Sequence, residues 1–390
     1  MNILVIHEVS YLYKPVYEYQ DFAERLVSRG HQVTVIDFCE SKKSSETSAM
    51  VSKTGLGEVQ LINMANNGLP IFKYLTAKWQ FPSLLKKIIK AQSVDAILLY
   101  SVFINGTSTI RICRKLGMPV VYRVLDAYHR LRKNKFESWL LLQAERYIFR
   151  NANALSVTNN QMAEYVAELT PQGRLGTLQV TDHGVDTAHF RRIEADRALA
   201  RRLQFSETDF VCVFLGTTYA FSRLDVLVRH IRRLREHIPG FKLLVVGAGE
   251  LDGIIRQAAI DADMTDHVLQ PGMIAYQDLP AYLSLASLAI NSFAINSITK
   301  DIIPIKMLQY LAAELPVVST PLPDLQQKMP HQTSGVFYSA TDDMASFIEQ
   351  LIQTACNENL PVVGRQGREF VSLHHSMDRV ISELEKLLEK

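Results

Sequence analysis

Three residues in the second half of the chain belong to the types that hold phosphate groups. Gly216 ends an apolar run, and Arg223 stands where the next helical pattern begins. Lys306 stands one turn into a further helical pattern, which opens with Pro304. A glycine lets the backbone approach a phosphate, a helix N-terminus supplies N–H donors, and Arg or Lys supplies positive charge. These residues predict a diphosphate site, although Arg or Lys at a helix start can also be solvated.

A second glycine-containing turn follows the next apolar run. Gly247 and Gly249 come directly after residues 241–246 and are typical of a tight strand-to-helix turn. Such a turn can also bring backbone N–H groups to an anion. Gly247 is therefore a further candidate contact of the phosphate site.

Short β-branched runs alternate with amphipathic helical stretches, a pattern typical of parallel sheets covered by helices on both faces. The runs of the first half lie at 2–6, 32–38, 96–100, 120–124 and 154–158. The pattern restarts with a run at 210–215, a helical stretch at 224–237, and runs at 241–246, 288–291 and 317–320. The predicted fold class is α/β, with two Rossmann-like doubly wound domains that face a cleft.

The composition is that of a globular protein, with 47% hydrophobic and 21% charged residues. The four cysteines lack the spacing of zinc ligands or of a disulfide framework, which favours a reducing cytoplasm. Residues 279–299 carry no charge. Pro280 and several polar side chains in this stretch favour a helix followed by a buried strand over a membrane span.

Basic residues are concentrated in residues 73–150. This segment holds 15 Lys/Arg against 4 Asp/Glu, a net charge of +11, whereas the whole chain carries +2. Trp79, Phe81, Phe136 and Trp139 stand among these cations, and such interleaving favours an interfacial helix. We therefore predict peripheral binding to an anionic membrane surface, with a solvated basic face as the alternative. No recognised nucleic-acid motif is present, which argues against nucleic acid as a partner.

Several segments resemble, in order, those of glycosyltransferase family 4, the retaining enzymes of GT-B fold. They are RGHQVTVI (29–36), HGVDTAHF (183–190), FVCVFLG (210–216) and KLLVVGAGE (242–250). The most specific is PIKMLQYLAAELPVVST (304–320), which is similar to a signature segment of the family. The resemblance covers nearly the whole chain. It implies transfer of a sugar from a nucleotide diphosphate sugar to an acceptor, with retention of configuration.

The resemblance also implies residues that grip the donor. Family members use two Glu side chains, eight positions apart, to hold sugar and ribose hydroxyls; the matching positions here are Asp301 and Gln309. The amide of Gln309 can still form a hydrogen bond with a hydroxyl. The basic pair of the family's first C-terminal loop is absent from its matching positions. Phosphate neutralisation would then rest on Arg223 and Lys306.

A loop in the first half matches the region where family members keep polar active-site residues. The segment VYRVLDAYH (121–129) makes Asp126 and His129 the candidates for catalytic contacts with the transferred sugar or the acceptor. A histidine can bond a hydroxyl or shuttle a proton, whereas an Asp after a strand is also a common helix cap. No metal or organic cofactor is implied, because in this family the departing diphosphate is thought to help deprotonate the acceptor.

The resemblance sets the expected domains. An acceptor-side domain is expected at 1–187, a crossover linker at 188–207, and a nucleotide-sugar-binding domain at 208–370. A C-terminal helix at 371–390 should pack back on the first domain. The expected location is the cytoplasm, peripheral on the inner membrane face.

The acceptor and the activity itself leave alternatives. The acceptor is expected to be lipid-linked or a glycan. Asp301 and Gln309 leave open a catalytically inactive homologue that acts as a partner subunit. The paired Rossmann-like pattern also leaves open another nucleotide-sugar enzyme, such as an epimerase.

Overall fold

The structure is a computed structural model of the chain. It describes residues 1–7, 10–12, 18–37, 47–64, 72–102, 105–132, 134–171, 176–296, 299–300 and 302–390, with only the backbone of 72–77. The chain divides into two compact units, residues 1–182 with 380–390 and residues 183–379. The division between Asp182 and His183 compares with the limit at 187 placed from the sequence.

An eight-stranded sheet forms the first unit. Its strands are β1 (Asn2–Ile6), β2 (Gln32–Asp37), β3 (Thr47–Val51), β4 (Val59–Asn63), β5 (Ala96–Leu99), β6 (Val120–Val124), β7 (Ala154–Val157) and β8 (Thr177–Val180). Their order across the sheet is β3-β4-β2-β1-β5-β6-β7-β8, and only β3 pairs antiparallel. The central strands are buried runs of Val, Ile and Leu, as in a sheet that is covered on both faces.

Helices connect these strands. They are α1 (Glu18–Ser28), α2 (Phe72–Ala91), α3 (Gly106–Leu116), α4 (Lys135–Phe149) and α5 (Asn160–Leu169). A short 3-10 helix, Tyr128–Leu131, lies between β6 and α4. Helices α2, α3 and α4 pack side by side, since α3 contacts both of the others.

The second unit repeats this architecture around a six-stranded parallel sheet. Its strands are β9 (Phe210–Leu215), β10 (Phe241–Val246), β11 (Val268–Gly272), β12 (Leu288–Asn291), β13 (Val317–Ser319) and β14 (Val336–Tyr338). The helices are α6 (Arg197–Arg202), α7 (Leu224–Arg229), α8 (Ile231–His237), α9 (Asp252–Asp261), α10 (Leu279–Leu283), α11 (Ile305–Ala312), α12 (Pro323–Lys328), α13 (Met344–Ala355), α14 (Leu360–His374) and α15 (Met377–Leu388). Helix α15 belongs to the first unit from Val380 onward, and there Glu385 pairs with Arg29 at 2.7 Å and with His31 at 3.0 Å.

In each sheet the order of the strands reverses at one point. The chain runs from β1 to β2 and β4 on one side and then to β5 on the other; from β9 it runs to β10 and β11 and then to β12 on the other side. Ligands of such sheets bind beyond the carboxyl ends of the strands that flank the reversal. The ends of β9 and β12, and those of β1 and β5, are therefore where functional groups are expected.

The predicted α/β class with two Rossmann-like domains is confirmed. The uncharged stretch 279–299 contains α10 and β12, as predicted. The stretch predicted to be helical at 224–237 is helical at 224–229 and at 231–237, with an interruption at one residue. The N–H of His230 bonds to the carbonyl of Leu227, three residues back, at 3.0 Å, and the helix is divided there into α7 and α8. Among the helices that the structure describes, none combines the length and the hydropathy that crossing a bilayer requires.

Candidate functional site

Lys306 lies at the carboxyl end of β9. It is the second residue of α11, and its side chain is half-buried. Its Nζ atom lies 3.6 Å from the ring centroid of Phe214 and 4.4 Å from that of Phe293. Desolvation there holds the pKa of Lys306 well below its usual range, and no carboxylate among the described residues offsets this effect. A bound anion would supply the counter-charge that this amine lacks.

Two glycines with positive φ angles follow β9 and β10, and the first of them lies beside Lys306. Gly216 has a φ of +120°, and a Cβ placed on it would lie 3.5 Å from Nζ of Lys306. Gly247 has a φ of +139°, and a Cβ placed on it would lie 2.1 Å from the carbonyl oxygen of Gly216. Both positions therefore require glycine. Gly216 leaves the backbone open next to the amine, whereas close packing of the ends of β9 and β10 accounts for Gly247.

Helix α11 is fixed to the strand end that it faces. Pro304 caps it in an extended conformation, with φ −62° and ψ 125°. In the second turn, the buried hydroxyl of Tyr310 accepts a hydrogen bond of 2.6 Å from the N–H of Leu215, the last residue of β9. The first N–H groups of α11, which lack helical partners, therefore lie at the same end of the sheet as Gly216 and Lys306.

The guanidinium of Arg223 is held by backbone carbonyl groups. Nε donates to the carbonyl of Ser292 at 3.0 Å, Nη2 donates to that of Phe293 at 3.3 Å, and Nη1 donates to that of Asp342. Burial lowers the pKa of Arg223, and nearby Asp342 opposes this shift. These bonds position the segment that carries Phe293 against Lys306. The predicted contact of Arg223 with phosphate stays a prediction, and the geometry favours a positioning role.

Gln309 follows Lys306 by three residues, on the same side of α11. It is half-buried, and no described residue forms a hydrogen bond with its side chain. The amide is thus available to a ligand hydroxyl. Asp301, the other residue predicted to grip the donor, lies outside the described residues.

Two acidic residues that the sequence analysis missed fix the loop after β9. Asp252 accepts hydrogen bonds from the hydroxyl of Thr218 at 2.6 Å and from the N–H of Gly249 at 3.0 Å. Glu250 accepts a bond of 2.6 Å from the N–H of Ala220. The signal in the sequence was the pair of acidic residues directly after the strand-end glycine turn, although neither side chain caps the helix that follows. These bonds make a rigid wall beyond the end of β9.

In the first unit, His129 is anchored by a buried carboxylate. Its Nδ1 atom lies 2.8 Å from Oε2 of Glu145 and 2.9 Å from the hydroxyl of Tyr165. Glu145 is fully buried and also accepts bonds from the N–H of Tyr128 and the hydroxyl of Tyr165. Glu145 is the acceptor of this cluster, so Nδ1 of His129 faces the carboxylate and Nε2 is the ring nitrogen left for a ligand. This arrangement suits a group that forms a hydrogen bond with a ligand hydroxyl.

Other polar groups lie near this histidine in the chain. Asp126 is exposed on the bend between β6 and the 3-10 helix that carries His129, but none of the bonds around Glu145 includes it. On β6, the fully buried Arg123 forms a bidentate pair with Glu18, at 2.8 and 2.9 Å, and donates to the carbonyl of Thr181 at 2.6 Å. This pair ties α1 to the ends of β6 and β8. Sequence analysis did not find it, because the partners are far apart in the chain.

Two family models match the chain. The model described as Glycosyltransferase Family 4 matches residues 19–189, and the model described as Glycosyl transferases group 1 matches residues 209–357. Together they cover the halves that hold His129 and Lys306.

Among curated proteins, the chain is 27% identical over 221 residues to the GDP-mannose-dependent alpha-(1-6)-phosphatidylinositol monomannoside mannosyltransferase of Mycobacterium tuberculosis. This match covers 55% of the chain and 57% of that protein. The chain is 23% identical over 304 residues to the alpha-monoglucosyldiacylglycerol synthase of Streptococcus pneumoniae, a match that covers 73% and 66% of the two chains. It thus spans less than two thirds of the length of both relatives.

Among solved structures, the fold is similar to that of sucrose-phosphate synthase from Thermosynechococcus elongatus. The TM-score is 0.72 at 13% identity, and the match covers 99% of this chain and 98% of the other.

Proposed function

Since the chain belongs to glycosyltransferase family 4, group 1, we propose that it transfers a sugar from a nucleoside diphosphate sugar to an acceptor hydroxyl, with retention of configuration. The observation that carries this proposal is the geometry around Lys306. Its amine lies beside the open backbone of Gly216, at the N-terminus of α11. A diphosphate is the donor group that such a site fits.

The charge of the leaving diphosphate gives this site its catalytic use. When the glycosidic bond to the phosphate breaks, negative charge grows on the phosphate oxygen. A protonated Lys306 and the first N–H groups of α11 stabilise that charge without reorganisation, because Tyr310 holds α11 in place. The amide of Gln309 supplies a hydrogen bond to a donor hydroxyl. The chain's contribution is thus positioning and electrostatic stabilisation.

His129 is the polar contact that we propose in the first unit. Glu145 and Tyr165 fix its ring, so that Nε2 keeps one direction. We assign to Nε2 a hydrogen bond with a hydroxyl of the transferred sugar or of the acceptor, and to Asp126 a contact from the same loop.

A lipid-linked acceptor is supported by the surface of the first unit. Trp79 is 83% exposed on α2, and Phe136 and Trp139 are 66% and 53% exposed on α4. Lys86, Lys87 and Lys90 are exposed further along α2. Exposed aromatic side chains among cations suit the headgroup region of an anionic membrane. The mycobacterial relative takes its name from a phosphatidylinositol mannoside, which points to the same class of acceptor.

Turnover of nucleotide sugars tests the activity. The purified chain is incubated with UDP-, GDP- and dTDP-sugars, with and without vesicles that contain a polyprenyl phosphate or phosphatidylinositol acceptor. Release of the nucleoside diphosphate that depends on the acceptor, together with a glycosylated lipid, is the expected result. The amide at 309, in place of the family's Glu, is the reason to test for an inactive partner subunit. Such a subunit would bind a nucleoside diphosphate but would release no nucleoside diphosphate from any donor sugar. An epimerase would convert the donor sugar without an acceptor.

A further inference from the structure

A groove lies between α3 and α4 in the first unit. Its volume is about 640 Å³, and it is lined by Arg114, Gln143, Arg146, Tyr147, Arg150 and Asn151. No acidic side chain is among these lining residues. Helix α3 contains no Asp or Glu; in α4, Glu137 lies in the first turn and Glu145 is buried against His129. The groove therefore gathers three arginines without a lining carboxylate.

One of these arginines is held in place before any ligand binds. Nη1 of Arg114 donates to the amide oxygen of Asn151, and Nδ2 of Asn151 donates to the carbonyl of Tyr147 at 2.6 Å. A side chain that is already oriented loses less conformational entropy when it binds. The planar donors of a guanidinium match two oxygens of a phosphate, so the groove is suited to that group.

Arginines at the ends of α3 and α4 compensate the helix dipoles, but this effect explains only part of their arrangement in the groove. Arg114 lies in the last turn of α3, and Arg146 lies in the last turn of α4. A cation at such a position stabilises its helix wherever the side chain points. Here both side chains line one groove together with Arg150, and the repulsion between them is relieved when an anion binds.

The same side of α4 continues from the groove to exposed aromatic residues. Phe136, Trp139, Gln143, Arg146 and Arg150 follow one another at helical spacing of three or four. The rings of Phe136 and Trp139 stack with centroids 6.2 Å apart. Trp139 precedes Arg146 by about 10 Å along the helix, so the aromatic pair and the arginines can meet the same surface when α4 lies along it.

We propose that the groove between α3 and α4 binds a phosphate mono- or diester, at a site separate from that of the nucleotide sugar. The groove lies on the first unit, whereas Lys306 and Gly216 lie on the second. The exposed aromatic residues on α4 make the headgroup of an anionic lipid the expected source of the phosphate. The proposal is independent of the transfer reaction.

Binding is measured with the full-length protein in two arms. The first uses vesicles of phosphatidylcholine with and without phosphatidylglycerol; the second uses inositol hexakisphosphate in solution. The groove variant carries Arg114→Gln, Arg146→Gln and Arg150→Gln. The matched control carries Arg192→Gln, Arg235→Gln and Arg256→Gln, which remove the same charge from exposed positions of the second unit.

The groove variant is expected to bind phosphatidylglycerol vesicles at least about tenfold more weakly, whereas the control stays within about threefold of the wild type. The protein could instead bind inositol hexakisphosphate but no vesicles, with the same loss in the groove variant. That result supports the site and identifies a soluble phosphate ester as the source of the bound phosphate. A second variant, Gln143→Glu, keeps the arginines but adds a carboxylate to the groove, and it should weaken binding as well.

Unchanged nucleoside diphosphate affinity in each variant shows that the second unit is folded and separates this test from that of the transferase. Equal losses in the groove and control variants, in both arms, overturn the proposal, as does a wild type that binds neither probe.

Discussion

Among single residues, Lys306 combines two properties that oppose each other. Desolvation next to Phe214 and Phe293 disfavours its protonated form, yet only that form neutralises a phosphate. A bound diphosphate resolves the conflict, because its charge raises the pKa again. We therefore expect binding of the donor to be coupled to uptake of a proton.

Replacement of Lys306 by Met tests this coupling. Lys306→Met is expected to weaken nucleoside diphosphate binding by about 1–3 kcal/mol, or roughly 5- to 150-fold in Kd. Wild-type affinity should be highest below the pKa of the free protein and fall as pH rises toward the higher pKa of the complex. Titration calorimetry in two buffers of different ionisation enthalpy should detect proton uptake by the wild type but not by the variant.

The same lysine affects the stability of the free protein in the opposite sense. The unfolded chain protonates Lys306 at its ordinary pKa, which is above that in the folded protein. The free energy of unfolding should therefore fall as pH falls through the window between the two pKa values. Lys386→Met, an exposed change on α15, serves as the control.

The binding experiment has its own contradicting outcome. A Lys306→Met variant that is folded and binds UDP, GDP and dTDP as the wild type does would refute the assignment of Lys306 to the diphosphate site.

Gln309 allows a test of the donor's hydroxyl contact. Gln309→Glu restores the side chain that the family resemblance predicts, in a position where no described residue bonds to the amide. Turnover of the nucleotide sugar should stay equal or rise. Gln309→Leu, which cannot form hydrogen bonds, should lower turnover about tenfold or more. Loss of turnover in a folded Gln309→Glu variant would show that the site requires the amide itself.

Among the secondary-structure elements, the sequence predicted mainly those with a clear hydrophobic pattern of their own. The strands β1, β2, β5, β6, β7, β9, β10, β12 and β13 were found because Val, Ile, Leu or Phe recur in each of them. β3, β4, β8, β11 and β14 were not predicted; the residues of β3, TSAMV, are mostly exposed and have no apolar periodicity. The break at His230 was missed because the apolar spacing continues across it.

The candidate site was predictable only in part, because local sequence patterns reveal some of its residues but not their partners in the fold. Lys306 and Gly216 belong to local patterns at a helix start and a strand end. The aromatic rings around Lys306 and the carbonyl partners of Arg223 come from elements that only the folded sheet brings together. His129 likewise meets Glu145 and Tyr165 through the packing of α4 and α5. Such partners depend on tertiary structure, which no local spacing encodes.

Gly247 offers a test of how closely the ends of β9 and β10 pack. In Gly247→Ala, the new Cβ would lie 2.1 Å from the carbonyl oxygen of Gly216, at a φ of +139°. The free energy of unfolding should fall by about 1–3 kcal/mol or more. The donor should also bind more weakly, because the clash displaces Gly216, which lies beside Lys306. Gly253→Ala is the control, since no atom lies within 4 Å of its added Cβ in α9. It should stabilise the protein by about 0.5–1 kcal/mol. Urea unfolding measures the free energy of unfolding of both variants. Equal values for Gly247→Ala and Gly253→Ala would contradict the packing argument.

In the molecule as a whole, the basic segment and the proposed donor-binding residues lie in different units. The segment 73–150 of the first unit has a net charge of +11, whereas the whole chain has +2. The residues that we propose to bind the donor, Gly216, Lys306 and Gln309, all belong to the second unit. Membrane binding and nucleotide binding should therefore respond to different substitutions.

This division leads to a prediction for the full-length protein. It should sediment with vesicles that contain anionic lipid, leave neutral vesicles unbound, and be released at high salt, because each basic residue near an anionic surface contributes about 1 kcal/mol before screening. Replacement of Lys86, Lys87 and Lys90 by Ser should weaken the binding and leave nucleoside diphosphate affinity unchanged. Trp79→Ser should weaken it as well but change its salt dependence little, because the exposed indole contributes apolar area and not charge. Sedimentation at two salt concentrations distinguishes these contributions. A wild-type protein that ignores anionic vesicles would make the basic segment a solvated surface and would leave the acceptor to be sought among soluble glycans.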